Sequence, residues 1–280
     1  MDVQWYPGHM TKARRMMEEN IKLIDIVVEI VDARIPMSSR NPDIDKMANN
    51  KKRILLLNKS DLADDAVTDK WVEHFKSKGF YVLKLDSRKA NQAKKTMKLI
   101  EEASKEKIER DLKRGIKNRP VRIMIAGIPN VGKSTFINSL AGKGVARTGD
   151  KPGVTKGKQW IKIGKNIDLL DTPGILWPKF EDRNIGIRLA MIGSVNDEIL
   201  SKEELSVMLI DVIKERYSGS IKDKYEVDEI EDSYKLLEDI AIKRNCIKKG
   251  AAPDTLKAAD IILDEFRGGV IGRFSLDTLE

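Results

Sequence analysis

The chain has 280 residues, 41% of them hydrophobic and 34% charged, a globular mixture that excludes a disordered or membrane-embedded class and leaves room for two domains. Its 52 Lys and Arg against 44 Asp and Glu give a net charge of +8, a balance that favours a polyanionic partner such as nucleic acid without requiring one. One cysteine, Cys246, excludes an intrachain disulfide, no apolar leader opens the sequence, and the most apolar run, "IDIVVEIVD", contains Glu29 and is too short to span a bilayer; a cytoplasmic, monomeric protein is expected.

In chain order, "WYPGHM" comes first, with two aromatics, a Pro-Gly pair and His9, one of only two histidines, ahead of a helix that should begin near Thr11. Apolar, β-branched runs bounded by turn or polar residues then recur as "DIVVEIVDA", "RILLLNKSD", "YVLKLDS", "VRIMIAG", "KQWIKIG" and "NIDLLDTPG". Helical patterns fall between them at "DKWVEHFKSKG", at the charged "KLIEEASKEKIERDLKRGIKNRP" and at "KSTFINSLAG". Strands alternating with helices predict a doubly wound, mostly parallel α/β sheet, here over residues 1–180. The long charged helix should connect two halves of that domain, its charges facing water.

Beyond Pro178 the pattern becomes helical. "SKEELSVMLIDVIKERY" opens with Ser201 three residues before Glu204, the spacing of a capping box. "DSYKLLEDIAIKRN" and "APDTLKAADIILDEFRGG" keep the helical period, the latter stopping at Gly268, so residues 181–280 should form an all-α domain.

Three stretches carry chemistry. "GIPNVGKS" follows a strand directly and opens a helix, the context a phosphate-binding loop needs: Gly127 and Gly132 let backbone N–H groups close on phosphates, Lys133 should reach the β- and γ-phosphates, and Ser134 should ligate Mg²⁺. Val131 and Thr135 belong to the same expected GTP-binding set. "DLLDTPG" ends a strand with Asp171, placed to hold the metal through water, and Gly174, whose N–H can meet a terminal phosphate. "NKSD" ends another: Asp61 can accept both N1–H and the exocyclic amine of guanine, Asn58 can brace the loop, and Lys59 can pack along the base plane. Each stretch alone is also a common turn. Together they are the guanine-nucleotide signatures, but "NKSD" precedes the phosphate loop instead of following it. Restoring the usual order, with "VRIMIAG" first and "YVLKLDS" last, completes a nucleotide-binding sheet, so the domain reads as a circularly permuted P-loop GTPase.

With "WYPGHM", "DARIPMSSRNP", "NKSD", "GIPNVGKST", "TGDKPGVT" and "DTPGILWPKFED" in register, the chain resembles the circularly permuted GTPases of ribosome biogenesis over nearly its whole length. The resemblance implies a GTPase that acts late in assembly of the large ribosomal subunit and is stimulated by the particle. It implies Thr155 as a switch residue over Mg²⁺ and the γ-phosphate, Asn130 as a contact to a K⁺ ion, and Ser87 as the donor of a backbone N–H to guanine O6. Relatives often carry Ser-Ala-Lys where this chain has "SRK".

The position after "DTPG", where many GTPases place a water-orienting glutamine, is Ile175, which can neither donate nor accept a hydrogen bond. His9 is the candidate to orient the attacking water instead, an imidazole on a segment that Pro7 and Gly8 let turn sharply. The alternative is that His9 merely caps its helix. His74 reads as structural or surface. Cations at Lys12, Arg14 and Arg15, at Lys151, Lys156 and Lys158, and at Lys243, Arg244, Lys248 and Lys249 suit rRNA phosphates. Two other readings stay open: a nucleotide-gated RNA-binding scaffold with incidental hydrolysis, and a GTPase serving RNA modification or metal insertion.

Overall fold

The computed structural model describes residues 8–117, 119–142, 159–177, 180, 182–195 and 200–279, with backbone alone at 8, 9, 90 and 159. The chain forms two compact units: Met1–Ser60, Asp65–Phe180 and Asp277–Glu280 in one, Asp61–Asp64 and Glu181–Leu276 in the other. The sequence suggests a single cut at 180/181; in the structure, residues 61–64 group with the second unit and residues 277–280 with the first.

In the first unit, strands β1 (Ile26–Asp32), β2 (Lys52–Asn58), β3 (Tyr81–Lys84), β4 (Val121–Gly127), β5 (Gln159–Ile163) and β6 (Ile167–Asp171) make one sheet in the order β3-β2-β1-β4-β6-β5. Every pair is parallel except β5–β6, an antiparallel hairpin that turns through Gly164 at φ 59°. The pairing of β1 with both β2 and β4 joins the two transposed halves of the chain side by side. Their near-continuous Val, Ile and Leu runs are what strands covered on both faces require. Among the described residues, no helix is long and apolar enough to cross a membrane.

Among the described residues, the α-helices of this unit are α1 (Gly8–Asn20), α2 (Pro42–Met47), α3 (Asp65–Ser77), α4 (Ala90–Lys113) and α5 (Lys133–Ala141). Ala13 and Met17 of α1, Ile44 of α2, Val27 of β1, Met124 and Ala126 of β4, Leu170 of β6 and Ile175 share one buried cluster. α2 was not expected from the sequence. Its six residues are too few to show a period, although Asn41, whose side chain accepts from Asp43 N, followed by Pro42 at the first helical position is a start signal. α4 begins at Ala90, before the expected "KLIEEAS" stretch, and stops at a glycine-terminated cap, where Gly115 (φ 75°) donates to Leu112 O and Ile116 to Asp111 O. His74 of α3 is half-buried and meets Trp71 and Phe75 edge-on at ring distances of 5.5 and 5.4 Å, a packing role.

The other unit holds α6 (Arg183–Met191), α7 (Lys202–Arg216), α8 (Ser220–Tyr225), α9 (Ser233–Lys243) and α10 (Thr255–Arg267). The capping box forms: Ser201 Oγ accepts from Glu204 N, and Glu204 accepts from Ser201 N. α10 ends at Arg267, one residue before the expected stop, and the left-handed residue is Gly269 (φ 72°), whose N–H goes to Phe266 O while Val270 donates to Glu265 O. Cys246 is buried.

Glu29 lies in the middle of β1 at 1% exposure. Arg53 Nη2 (2.9 Å), Arg40 Nη2 (3.3 Å) and Asn41 N (3.1 Å) all donate to its carboxylate, which offsets the cost of burying it. Removing it leaves Arg40 and Arg53 with the half-exposed Asp45 as the carboxylate they still share. Glu29→Ala should lower unfolding free energy by about 3 kcal/mol in urea titration; a loss below about 1 kcal/mol would mean that Asp45 and solvent suffice for the two arginines.

Candidate functional site

Among the described residues, the expected site residues collect at the C-terminal ends of β2, β3, β4 and β6, the edge where parallel sheets bind ligands. The phosphate loop leaves β4 at Gly127 and enters α5 at Lys133 through two left-handed residues, Asn130 (φ 57°) and Gly132 (φ 96°). Both flanking glycines are sterically required. A Cβ on Gly127 would lie 2.5 Å from Ile30 O, and one on Gly132 would lie 2.4 Å from Asn58 Nδ2.

Lys133 is buried and donates through Nζ to two carbonyls of its own loop, Gly127 O at 3.1 Å and Ile128 O at 2.7 Å. Burial pushes its ammonium down to about 8, with the Asp171 carboxylate opposing the drop. Ser134 and Thr135 follow in the first turn of α5, both half-buried. Asp171 ends β6 at 1% exposure, and Thr172 Oγ1 ties that strand end to Ile125 O of β4 at 2.6 Å. A hydroxyl and a carboxylate beside a phosphate loop are the hard oxygen donors that suit Mg²⁺, so Ser134 and Asp171 fit the expected ion. Gly174 sits against the loop so closely that a Cβ there would come within 2.9 Å of both Lys133 Nζ and Pro129 Cα. Ile175 is a core residue whose N–H donates to Gly127 O at 3.3 Å and whose carbonyl accepts from Asn41 Nδ2 at 3.4 Å.

Asn58 spans the motifs. Its Nδ2 donates to Val131 O of the phosphate loop at 2.6 Å, and its Oδ1 accepts from Ser87 N at 3.0 Å. One buried amide thus links "NKSD", "GIPNVGKS" and "LDSRK". Lys59 is left-handed (φ 58°), and Asp61 lies half-buried in the turn that follows. Ser87 N is the donor to Asn58 Oδ1, and the next amide, Arg88 N, donates to Asp86 Oδ1 at 3.1 Å.

Sequence reading missed Asp32 and Arg34, at the end of β1. Burial alone would raise the Asp32 carboxyl, yet Arg34 and Lys59 hold it well below the usual carboxylate range. The available signal was an acidic residue closing a strand that is apolar but for Glu29. Thr155, with Lys151, Lys156 and Lys158, lies outside the described residues, as does the His9 side chain; the backbone of His9 forms the first turn of α1. Several of the other cations are already paired: Arg14 with Glu18 and Asp43, Arg15 with Glu19, Lys243 with Glu226, Arg244 with Glu265 and Lys248 with Asp254. Lys12 and Lys249 are exposed.

A family model described as "50S ribosome-binding GTPase" matches residues 122–245. The chain is 48% identical to "Ribosome biogenesis GTPase A" of Priestia megaterium, over 99% of this chain and 97% of that one. It is 45% identical to the protein of the same name from Bacillus cereus, over 100% and 95%. Among solved structures it is similar to GNP-bound YlqF from T. maritima, with a TM-score of 0.67 and 30% identity over 95% of this chain and 98% of the other.

Because folded Lys133 loses its proton near pH 8 and the unfolded lysine only near 10.5, the unfolded state binds more protons between those values, and stability must rise with pH there. Nucleotide-free protein should gain up to about 3 kcal/mol across that window relative to Lys133→Met, measured by denaturant titration at each pH. Parallel curves for the two proteins would place the ammonium in a solvated site.

Proposed function

We propose, from the premise that this chain belongs to the family of ribosome biogenesis GTPase A, that it binds a precursor of the large ribosomal subunit in its GTP state and leaves after hydrolysis. The observation that carries this reading is the Asn58 amide, which bonds the guanine-reading segment to the phosphate loop although the two come from transposed halves of the chain.

In this account Asp61 reads the guanine edge, Asn58 fixes the loop, and Lys59 packs on the base. Backbone N–H groups of Asn130, Val131, Gly132 and Thr135 surround the phosphates at the N-terminus of α5, with Lys133 adding charge. GTPase domains generally use Mg²⁺. Ser134, Thr155 and Asp171 would hold it here, where it supplies positive charge against the phosphates, and Asn130 would contribute to a K⁺ site. Gly174, held against the loop, registers the terminal phosphate through its N–H. The segment after it runs on into the helical unit, so loss of that phosphate is transmitted along the chain. The exposed cations and those of the first switch meet rRNA phosphates, the protein acts as a cytoplasmic monomer, and the particle stimulates hydrolysis.

His9 is the residue assigned to orient the attacking water. Its helix supports the role: Ala13 and Met17, further along α1, share the buried cluster with Ile175, so the helix that carries His9 is anchored to the residue just after Gly174. Ile175, turned into that cluster, leaves the water without a partner of its own.

His9→Ala should slow single-turnover GTP hydrolysis on the precursor particle by about a hundredfold while GTP affinity stays within a few-fold of the parent. Unchanged turnover on the particle would remove His9 from catalysis. Co-sedimentation with precursor particles should show retention with a nonhydrolysable analogue and release with GTP; equal release with both would favour a passive RNA-binding scaffold.

A further inference from the structure

We propose that Asp32 is a positioning residue for guanine recognition, anchoring the Lys59 ammonium so that the lysine's aliphatic stem is held in place for the base; this rests on the reading of Asn58–Asp61 as the base-recognition loop. Asp32 closes β1 directly beside Asn58 of β2. Its Oδ2 lies 3.2 Å from Lys59 Nζ, and Ala33 N donates to Asn58 O at 2.8 Å, so backbone and side chain both join the end of β1 to the start of the loop.

Which partner serves the other follows from the rest of the cluster. The fully buried Asp32 carboxylate is already neutralised by Arg34, which donates Nε to Oδ1 at 2.9 Å, Nη2 to Oδ2 at 2.8 Å and its backbone N to Oδ1 at 3.1 Å. A buried carboxylate with a two-pronged guanidinium needs no second cation to be tolerated. Arg34 itself is 1% exposed, so this pair is rigid. Lys59 is the opposite kind of residue: its side chain is 26% exposed and its backbone adopts the left-handed region that a residue with a Cβ occupies only at a cost. A lysine left free there would sample many rotamers and lose that freedom on each binding event. Tethering its ammonium to a carboxylate that cannot move removes the loss in advance, which is how preorganisation raises affinity.

A double-mutant cycle on the full-length protein tests this, with dissociation constants for a fluorescent methylanthraniloyl derivative of GDP and for the corresponding ADP derivative. Lys59→Met keeps an apolar stem of similar length and removes the charge, and Asp32→Asn removes the anchor while keeping the shape. Each single change should weaken GDP binding about tenfold, and Asp32→Asn should cost nothing further in the Lys59→Met background. Additive losses, or a Lys59→Met protein that binds GDP as the parent does, overturn the proposal. If Asp32→Asn fails to melt cooperatively, the comparison of Lys59→Met with the parent decides alone. A parent that holds the GDP and ADP derivatives equally would instead refute the underlying reading of the loop, a failure visible before any variant is made.

Discussion

Asn58 is the constraint on which the site depends. The loop that opens at Asn58 and the phosphate loop that opens at Gly127 lie far apart in the chain, and nothing local brings them together. The sheet does so coarsely, by pairing β1 with both β2 and β4. The Asn58 amide then does so at atomic scale, donating to Val131 O and accepting from Ser87 N. Both groups are buried, where an amide left without partners would be costly, so the bonds fix the spacing between the segments. Gly132 follows from the same contact, since the approach of Asn58 leaves no room for a Cβ.

The apolar core and the site are coupled through the same strands. Ile30 of β1 presses its carbonyl against Gly127, and Ile175 joins the cluster beneath α1 while its N–H closes on Gly127 O. Packing on one face of the sheet therefore sets where the segment after Gly174 begins. It also explains how an isoleucine can occupy a position that other GTPases give to a hydrogen-bonding residue: here the position belongs to the core.

Much of this was legible in the sequence because strands covered on both faces must be apolar along their length, and functional residues then stand out as polar interruptions at the strand ends. Asp171, Asn58 and the phosphate loop are visible for that reason. Glu29 is visible too, but only as an anomaly, since Arg40 and Arg53 reach it from other elements. Asp32 escapes notice because Lys59, the cation it meets besides Arg34, is adjacent only across the sheet. α2 is too short to show a period, and no change of pattern marks 61–64 or 277–280 as grouping apart from their sequence neighbours.

The most direct test of the account is calorimetric titration of GDP into the parent protein and into Asn58→Ala, each checked for cooperative melting. If the amide joins the transposed halves into one pocket, the substitution weakens GDP binding by about a hundredfold in a protein that still folds. A folded Asn58→Ala protein that binds GDP as tightly as the parent would contradict it.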